Sequence, residues 1–163
     1  MSNLTFDEGQ NRVNVRAVGI IRRDGHVLVV REDDDDFVCL PGGRIQRGES
    51  SLDAIHREMN EELNAQIEGP QLKYIIENFF WRYGKKFHEF AFYYEVEPPA
   101  HVAFVTQGVC QFGEDDGKAL SFEWVPYTAN HLCRVNLHPL AMRTRLLTLP
   151  DGFEHHTVVD PEY

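Results

Sequence analysis

Three glutamates lie close together near the middle of the chain, at positions 58, 61 and 62. Residues three and four apart are neighbours on a helix, so Glu58, Glu61 and Glu62 would present three carboxylates side by side. Like charges at these spacings destabilise an open helix by roughly 0.2–0.5 kcal/mol per pair, and more where the dielectric is lower. A hard divalent cation such as Mg²⁺ or Mn²⁺ offsets this repulsion, because such ions prefer oxygen ligands. The alternative is an ordinary row of solvent-facing glutamates.

The loop before these glutamates contains Pro41, Gly42 and Gly43 in succession. Glycines let the backbone turn sharply and pass close to a ligand. A bare carbonyl of this loop is therefore a candidate for a further oxygen ligand. A plain turn would equally explain each glycine taken alone.

A helix is predicted over residues 51–63, and it would position all three glutamates. Ser50 and Asp53 form a capping pair before it, and Asn64 suits the left-handed residue that often ends a helix. At 100° per residue, four apolar side chains form a stripe that is predicted to face the core: Leu52, Ile55, Met59 and Leu63.

The segment from Gly43 to Ala65 resembles the Nudix box, G-x5-E-x7-R-E-U-x-E-E-x-G-U, in which U is an aliphatic residue. Six fixed positions of the pattern are matched, by Gly43, Glu49, Arg57, Glu58, Glu61 and Glu62. Two positions differ, since Asn64 stands in place of the glycine and Ala65 in place of a larger aliphatic residue. Asparagine is the next-best residue for a left-handed conformation, so we expect the loop geometry to be kept.

The resemblance implies a Mg²⁺-dependent hydrolase that cleaves a diphosphate linkage in nucleotides or nucleoside diphosphate derivatives, with Mn²⁺ as an alternative metal. It implies that Glu58 and Glu62 are metal ligands, and that Glu61 is a further ligand or the base that activates water. The carbonyl of Gly42 is the candidate backbone ligand. Water would attack phosphorus, and the cation would neutralise the diphosphate and lower the pKa of a bound water.

Two further residues of the box are expected to support the site rather than touch the substrate. The resemblance implies that Glu49 and Arg57 form an ion pair that fixes the loop at Gly43 against the helix. Many proteins of this family also carry an additional acid ahead of a late tryptophan, which is Trp124 here. Glu114, Asp115 and Asp116 lie in a suitable loop, and Glu123 is adjacent to the tryptophan. The role is not assigned to one of them, and Glu114 and Asp116 rank above Glu123.

Substrate-binding candidates come from residues near the box. Arg16, Arg31 and Arg44 are candidates to clamp phosphate oxygens, with surface salt bridges as the alternative for the first two. Phe37 and Phe80 are candidates to stack on a base, although aromatic residues on strands more often belong to the core. None of these residues names the substrate.

The remaining elements predict the fold class. The order of strands, helix, strands and helix indicates an α/β (α+β) layer structure, and the resemblance implies an α/β/α sandwich with a mixed sheet. We expect a single domain over residues 1–163, with a core at about 13–147 and a polar tail at 150–163. The predicted strands are 13–22, 26–31, 71–82, 86–96, 102–105 and 119–127, with an acidic loop at 113–117 and a second helix at 139–147.

Composition excludes some classes of function. The chain has 163 residues and a net charge of −10, which argues against binding along an extended nucleic acid and against an mRNA-decapping enzyme. No apolar run is long enough for a membrane span. With three widely spaced cysteines and no evident secretory signal, the expected location is the cytoplasm.

Two classes of function remain after these exclusions. The first is a pyrophosphohydrolase acting on a small nucleotide or nucleotide derivative. The second is a nucleotide-sensing or partner-binding module on the same fold, without turnover. The aromatic hairpin around Trp81 is also a candidate interface for a homodimer.

Overall fold

A computed structural model describes residues 2–163 of the chain. Its elements, in chain order, are β1 (Thr5–Glu8), β2 (Asn11–Ile20), β3 (Arg22–Arg23), β4 (His26–Glu32), β5 (Gly42–Arg44), α1 (Ser51–Leu63), β6 (Gln71–Arg82), β7 (Lys85–Glu95), β8 (Val109–Asp115), β9 (Lys118–Pro126), α2 (Ala129–Arg134), α3 (Met142–Arg145) and β10 (Glu154–Val159).

The strands form two sheets. The larger has six strands in the order β1-β2-β7-β6-β10, with β5 also paired to β2. It is mixed, because β2–β7 and β6–β10 are parallel pairs whereas the other pairs are antiparallel. The smaller sheet has four antiparallel strands in the order β3-β4-β9-β8.

Alternate residues of the strands supply two separate hydrophobic cores. Ala17 and Ile21 pack with Ile55 and Met59 of α1 in the first core. Their neighbours Val18 and Ile20 pack in the second core, which also contains Leu132 of α2 and Met142 of α3. Because successive side chains of a strand point to opposite faces, α1 covers one face of the strands and α2 with α3 covers the other. This is the α/β/α arrangement with a mixed sheet that the resemblance implies.

The local predictions are confirmed most closely around α1. The helix spans Ser51–Leu63, as predicted, and the hairpin of β6 and β7 turns at Tyr83 and Gly84. One position of the predicted stripe is wrong. Leu52 is 45% exposed, and Ala54 is buried in its place.

Three predictions for the second half of the chain are wrong. Residues 102–105 form no strand, and the acidic loop predicted at 113–117 belongs mostly to β8 and its turn. The helix predicted at 139–147 is reduced to the short α3, and α2 precedes it without a strong periodic signal.

The polar tail predicted at 150–163 contains the regular strand β10. It pairs in parallel with β6, so that Glu154 lies opposite Tyr74 and Val159 opposite Phe79. A polar edge strand has one open side and little apolar periodicity, which is why its sequence reads as a tail. Within residues 2–163, no helix is long and apolar enough to cross a membrane.

Candidate functional site

The helix α1 is fixed at both ends by the residues that the sequence indicates. The Ser50 hydroxyl accepts a hydrogen bond from the backbone N–H of Asp53 at 3.0 Å, which caps the first turn. At the other end Asn64 is left-handed, with φ 51° and ψ 40°. The glutamates of α1 therefore project from a helix whose start and end are both defined.

Two of the three glutamates are buried and one is not. Glu58 and Glu62 are only 5% and 7% exposed, one turn apart on the side of α1 that faces the sheet. The side chain of Glu61 is 45% exposed. The structure thus brings Glu58 and Glu62 together and leaves Glu61 on the solvent side of the helix.

The two glycines of the preceding loop let α1 approach the sheet. A Cβ on Gly43 would overlap the carboxylate of Glu58, and a Cβ on Gly42 would overlap the backbone of Ala17. Gly42 also has a φ of 148°, a backbone conformation that residues with a side chain rarely adopt. Its N–H donates to the Glu62 carboxylate at 3.2 Å. Both glycines are therefore needed for the contact between the loop and the buried carboxylates.

Arg57 ties the loop and the helix together. Its guanidinium donates twice to Glu49, at 2.7 and 2.9 Å, so the expected ion pair is present. The same group donates to Glu58 at 2.6 Å, to Glu61 at 3.1 Å and to the carbonyl of Arg44 at 2.9 Å. Arg57 holds the glutamate side chains in place and fixes the chain at residue 44.

Burial is the main influence on the charge of the site. It raises the pKa of Glu62 well above the usual range, and the neighbouring charge of Glu58 raises it further. Burial also raises the pKa of Glu58, against the opposing effect of Arg57. Two buried carboxylates that disfavour each other's ionisation are a place where a bound cation would be stabilised.

Of the acids in the segment 113–117, Asp115 is the one whose charge acts on Glu62. Its charge contributes to the raised pKa of Glu62. Gly113, on the same strand face, faces the backbone of Glu62, and Asp115 follows it by two residues. Glu114 points to the opposite, exposed face of β8, and Asp116 lies in the turn. The prediction treats this segment as a loop, whereas the alternation of β8 puts Asp115, and not Glu114, on the face of Gly113.

The three candidate arginines have different surroundings. Arg16 donates to the carbonyl of Gly42 at 3.3 Å, beside the glutamates. Arg31 donates to the carbonyls of Asp35 and Phe37, so it holds its own loop rather than pairing with acidic side chains. Arg44 is exposed. Of the three, Arg16 is the one placed at the glutamates.

The two candidate aromatic residues lie beside Arg82, the last residue of β6. Phe80 stacks on Phe87 with ring centroids 4.9 Å apart. The Arg82 guanidinium lies over the rings of both Phe37 and Phe80, at 4.4 and 5.1 Å from their centroids. Phe80 and His138 both line a cavity of about 320 Å³.

The donor set of the site fits a hard divalent cation. Within residues 2–163, no three His, Cys, Asp or Glu side chains are already arranged as a complete metal site. The groups that the structure does bring together are the oxygens of Glu58 and Glu62, buried beside each other, with the carbonyl of Gly42 close by. Oxygen-only ligands of this kind suit Mg²⁺ or Mn²⁺.

Sequence reasoning did not bring together a second group of polar residues, Asn14, Asn78 and Glu89. All three are buried, and they lie side by side on β2, β6 and β7. The one signal in the sequence is that Asn78 and Glu89 occupy strand positions whose neighbours at i±2 are apolar. The strand register, which the sequence does not state, is needed to bring the three together.

Comparison with known proteins identifies the family. The family model of the NUDIX domain matches residues 10–145. The fold is similar to a MutT protein from Bacillus halodurans, with a TM-score of 0.65 and 18% identity over 91% of each chain. It is also similar to a MutT NUDIX hydrolase from Burkholderia pseudomallei, with a TM-score of 0.59 and 20% identity over 83% of this chain and 98% of that one.

A further similar structure is an ADP-ribose pyrophosphatase from Streptococcus suis, with a TM-score of 0.52 and 18% identity, covering 90% of this chain and 98% of that chain. No curated protein matches the chain. At these identities the likeness to solved structures shows the fold.

Proposed function

The chain belongs to the NUDIX domain family, and from this we propose that it is a Nudix pyrophosphohydrolase, which hydrolyses a diphosphate linkage in a nucleotide or nucleoside diphosphate derivative. We propose Mg²⁺ as the cation, with Mn²⁺ as the alternative. Glu58 and Glu62 would hold the cation, and the carbonyl of Gly42 would complete the set of protein oxygens.

The observation that carries this proposal is the burial of Glu58 and Glu62 side by side. Two adjacent buried carboxylates destabilise the fold unless something compensates their charge. Arg57 compensates Glu58, at 2.6 Å, but Glu62 accepts only the neutral N–H of Gly42. An arrangement that leaves a buried negative charge without a paired side-chain cation is what a site for a cation requires.

A bound divalent cation would supply neutralisation of the diphosphate and a lower pKa for a coordinated water. The protein itself would orient the substrate. Arg16 donates to the carbonyl of Gly42 and would also bind a phosphate oxygen. Arg57 would keep the glutamates in position through its contacts to Glu49 and Glu58.

In the hydrolytic step, the oxygen of water forms a bond to phosphorus while the bond from phosphorus to the bridging oxygen breaks. The leaving phosphate takes the electron pair of that bond. Glu61 is the candidate to accept the proton of the water, because its carboxylate is exposed at the surface of α1. Most of the acceleration would come from positioning and charge stabilisation.

The test is phosphate release, with pyrophosphatase or phosphatase coupling, from nucleoside triphosphates, ADP-ribose, dinucleoside polyphosphates and nucleotide sugars. Each substrate is offered with Mg²⁺ and with EDTA. We expect turnover of at least one substrate, with metal only. The variant Glu62→Gln is expected to lose about 10²-fold or more of kcat, as is typical when a charge-stabilising group is removed.

The matched control is Glu68→Gln, an exposed glutamate outside α1. It should leave the rate unchanged, and circular dichroism should show both variants folded. A rate in Glu62→Gln equal to that of the wild type would contradict the metal assignment. Binding of nucleotides without any turnover would favour a sensing module in place of an enzyme.

A further inference from the structure

Three polar side chains form a row across adjacent strands on one face of the larger sheet. Asn14, Glu89 and Asn78 lie directly opposite one another on the adjacent strands β2, β7 and β6. Each is at most 5% exposed. Opposite residues on neighbouring strands have Cβ atoms about 5 Å apart, so the three side chains form one continuous polar strip.

The strip keeps free hydrogen-bonding capacity. Asn14 donates to one oxygen of Glu89 at 3.0 Å and accepts from the hydroxyl of Thr5 at 2.9 Å. Within residues 2–163, the Asn78 carboxamide has no hydrogen-bond partner. Every fully enclosed side-chain nitrogen or oxygen in that range does have a partner. The polar atoms of Asn78 therefore reach accessible space. A buried carboxylate next to a free carboxamide is costly in a sheet that only has to pack.

An aromatic wall borders the strip. The next residues along β6 and β7 on the same face are Phe80 and Phe87, whose rings stack at 10° and 4.9 Å. Beside Phe80 lies the cavity of about 320 Å³, which His138 and Arg143 also line. Aromatic faces next to convergent polar groups are typical of sites for flat, polar ligands.

Arg16 connects the strip with the glutamates of α1. It lies two residues from Asn14 on β2, on the same face, and donates to the carbonyl of Gly42. Burial opposes the charge of Arg16, but nearby acidic groups outweigh it and raise its pKa, with Glu89 the foremost and Glu62 among them. The strip lies on the face of the sheet opposite α1, and Gly42 joins the two sides through its contacts with Glu62 and Arg16. A ligand whose phosphates lie at Glu62 and Arg16 would therefore pass Gly42 to reach Glu89.

We propose that Glu89, assisted by Asn78, selects the nucleoside part of the substrate by accepting hydrogen bonds from two adjacent donors; this inference rests on the proposed function. Two oxygens of one carboxylate match two neighbouring donors. A nucleoside offers such a pair either as the 2′- and 3′-hydroxyls of ribose or as the N1–H and 2-amino group of guanine. Asn14 orients the carboxylate, and Phe80 and Phe87 offer the adjoining flat surface.

The experiment measures the Kd of ADP, dADP, GDP and IDP by isothermal titration calorimetry in Mg²⁺. In the wild type, loss of one donor should weaken binding about 10–100-fold, because a buried acceptor is then left unpaired. A weakening from ADP to dADP identifies the ribose hydroxyls, and a weakening from GDP to IDP identifies guanine. In Glu89→Gln that discrimination should fall to less than about threefold.

The control is Glu77→Gln, which changes a glutamate next to Asn78 in sequence but on the opposite face of β6. It should discriminate as the wild type does. Asn78→Ala is a second test that leaves the carboxylate in place, and it should reduce the discrimination about tenfold. Thermal unfolding establishes that each variant is folded.

Unchanged discrimination in both Glu89→Gln and Asn78→Ala would overturn the inference, as would equal weakening of all four ligands or no binding of any by the wild type. Hydrolysis of the substrate panel reports separately on the proposed function. If the wild type hydrolyses a substrate while both variants discriminate normally, only the inference fails. If the wild type shows Glu89-dependent discrimination without hydrolysis, only the proposed function fails.

Discussion

The glutamate site on α1 and the polar strip on the sheet are built in opposite ways. Gly42, Gly43, Glu58 and Glu62 lie within about twenty residues, and a turn and a helical period bring them together. In the strip, Asn14 and Glu89 are 75 residues apart and meet through the parallel pairing of β2 and β7. A site made by local geometry is visible in the sequence, whereas one made by strand register is not.

The two regions also differ in how their charges are satisfied. The Glu62 carboxylate of the α1 site accepts a backbone N–H and no side-chain cation, whereas Glu89 of the strip accepts from the Asn14 side chain. Removing a charge from the α1 site should therefore increase the stability of the metal-free fold. Removing a group from the strip should affect recognition more than stability.

The largest expected effect concerns the backbone of the α1 site. In Gly42→Ala the new Cβ overlaps the backbone of Ala17, which cannot give way as a side chain can. We expect a loss of about 2–5 kcal/mol of unfolding free energy, from strain at the positive φ and overpacking together. Activity should fall with it, because Gly42 also holds Glu62. Urea unfolding and initial rates are the measurements.

Comparing Gly48→Ala with Gly42→Ala separates the strain of a positive φ from the overlap of the new Cβ with the backbone of Ala17. Gly48 has a φ of 81°, but no atom lies within 4 Å of the position that a Cβ would take, so only the strain of about 1–2 kcal/mol should be measured. Activity should be nearly normal. Equal losses in the two variants would mean that the contact with the sheet is unimportant and that both glycines serve only as turn residues.

A second prediction concerns metal removal and pH. Because the folded-state pKa values of Glu62 and Glu58 are raised, the metal-free fold binds more protons than the unfolded chain. The contribution of these two carboxyl groups to stability is therefore fully present below the ordinary pKa of glutamate. It is lost as the pH rises through the raised pKa values. In EDTA, the Tm of the wild type should fall between pH 5 and 8, and Mg²⁺ should restore it.

Glu62→Gln should flatten this dependence, because glutamine has no charge to bury. At pH 8 in EDTA we expect its Tm to exceed that of the wild type by about 2–4 °C, which corresponds to roughly 1 kcal/mol for a chain of this size. Mg²⁺ should then add less to the Tm of the variant. A variant less stable than the wild type under these conditions would show that Glu62 stabilises the fold without metal.

The sequence predicts well where the information is local. The bounds of α1, the cap at Ser50 and the left-handed Asn64 follow from spacing and propensity. It fails at β10 and β8, because a polar edge strand and a strand that begins in an irregular segment have little periodicity. For the same reason the sequence does not distinguish Asp115 from its neighbours or bring Glu89 beside Asn14, since both placements depend on which strand lies beside which.

The third prediction concerns the ion pair between loop and helix. Arg57→Lys keeps a positive charge but loses the two parallel hydrogen bonds to Glu49 and the contact with the Arg44 carbonyl. We expect a loss of about 10–100-fold in kcat, as for groups that orient metal ligands. KM should change less, because Arg57 lies behind the glutamates. The matched change Arg47→Lys, at an exposed arginine, should have no effect on kcat.

The smallest expected effect is at His138, beside the aromatic wall. Burial lowers the pKa of His138 below its ordinary value, and the positive charges of Arg82 and Arg143 lower it further. The fold therefore binds fewer protons here than the unfolded chain does. The contribution to stability is present above the ordinary pKa of histidine and is lost as pH falls below it.

NMR titration of the His138 ring should give a midpoint below about 6.5, the usual histidine value. Between pH 7 and 5, His138 should cost the wild type less than about 1 kcal/mol of unfolding free energy, and His138→Gln should not show this decrease. The response of the α1 site to Mg²⁺ should be unchanged in the variant. Nucleotide bound along the strip should lower the midpoint further if it fills the cavity beside Phe80, because it would bury the imidazole more deeply. A midpoint raised by nucleotide would instead place phosphate, rather than the nucleoside, at this end of the sheet, and the direction assigned to the bound substrate would be reversed.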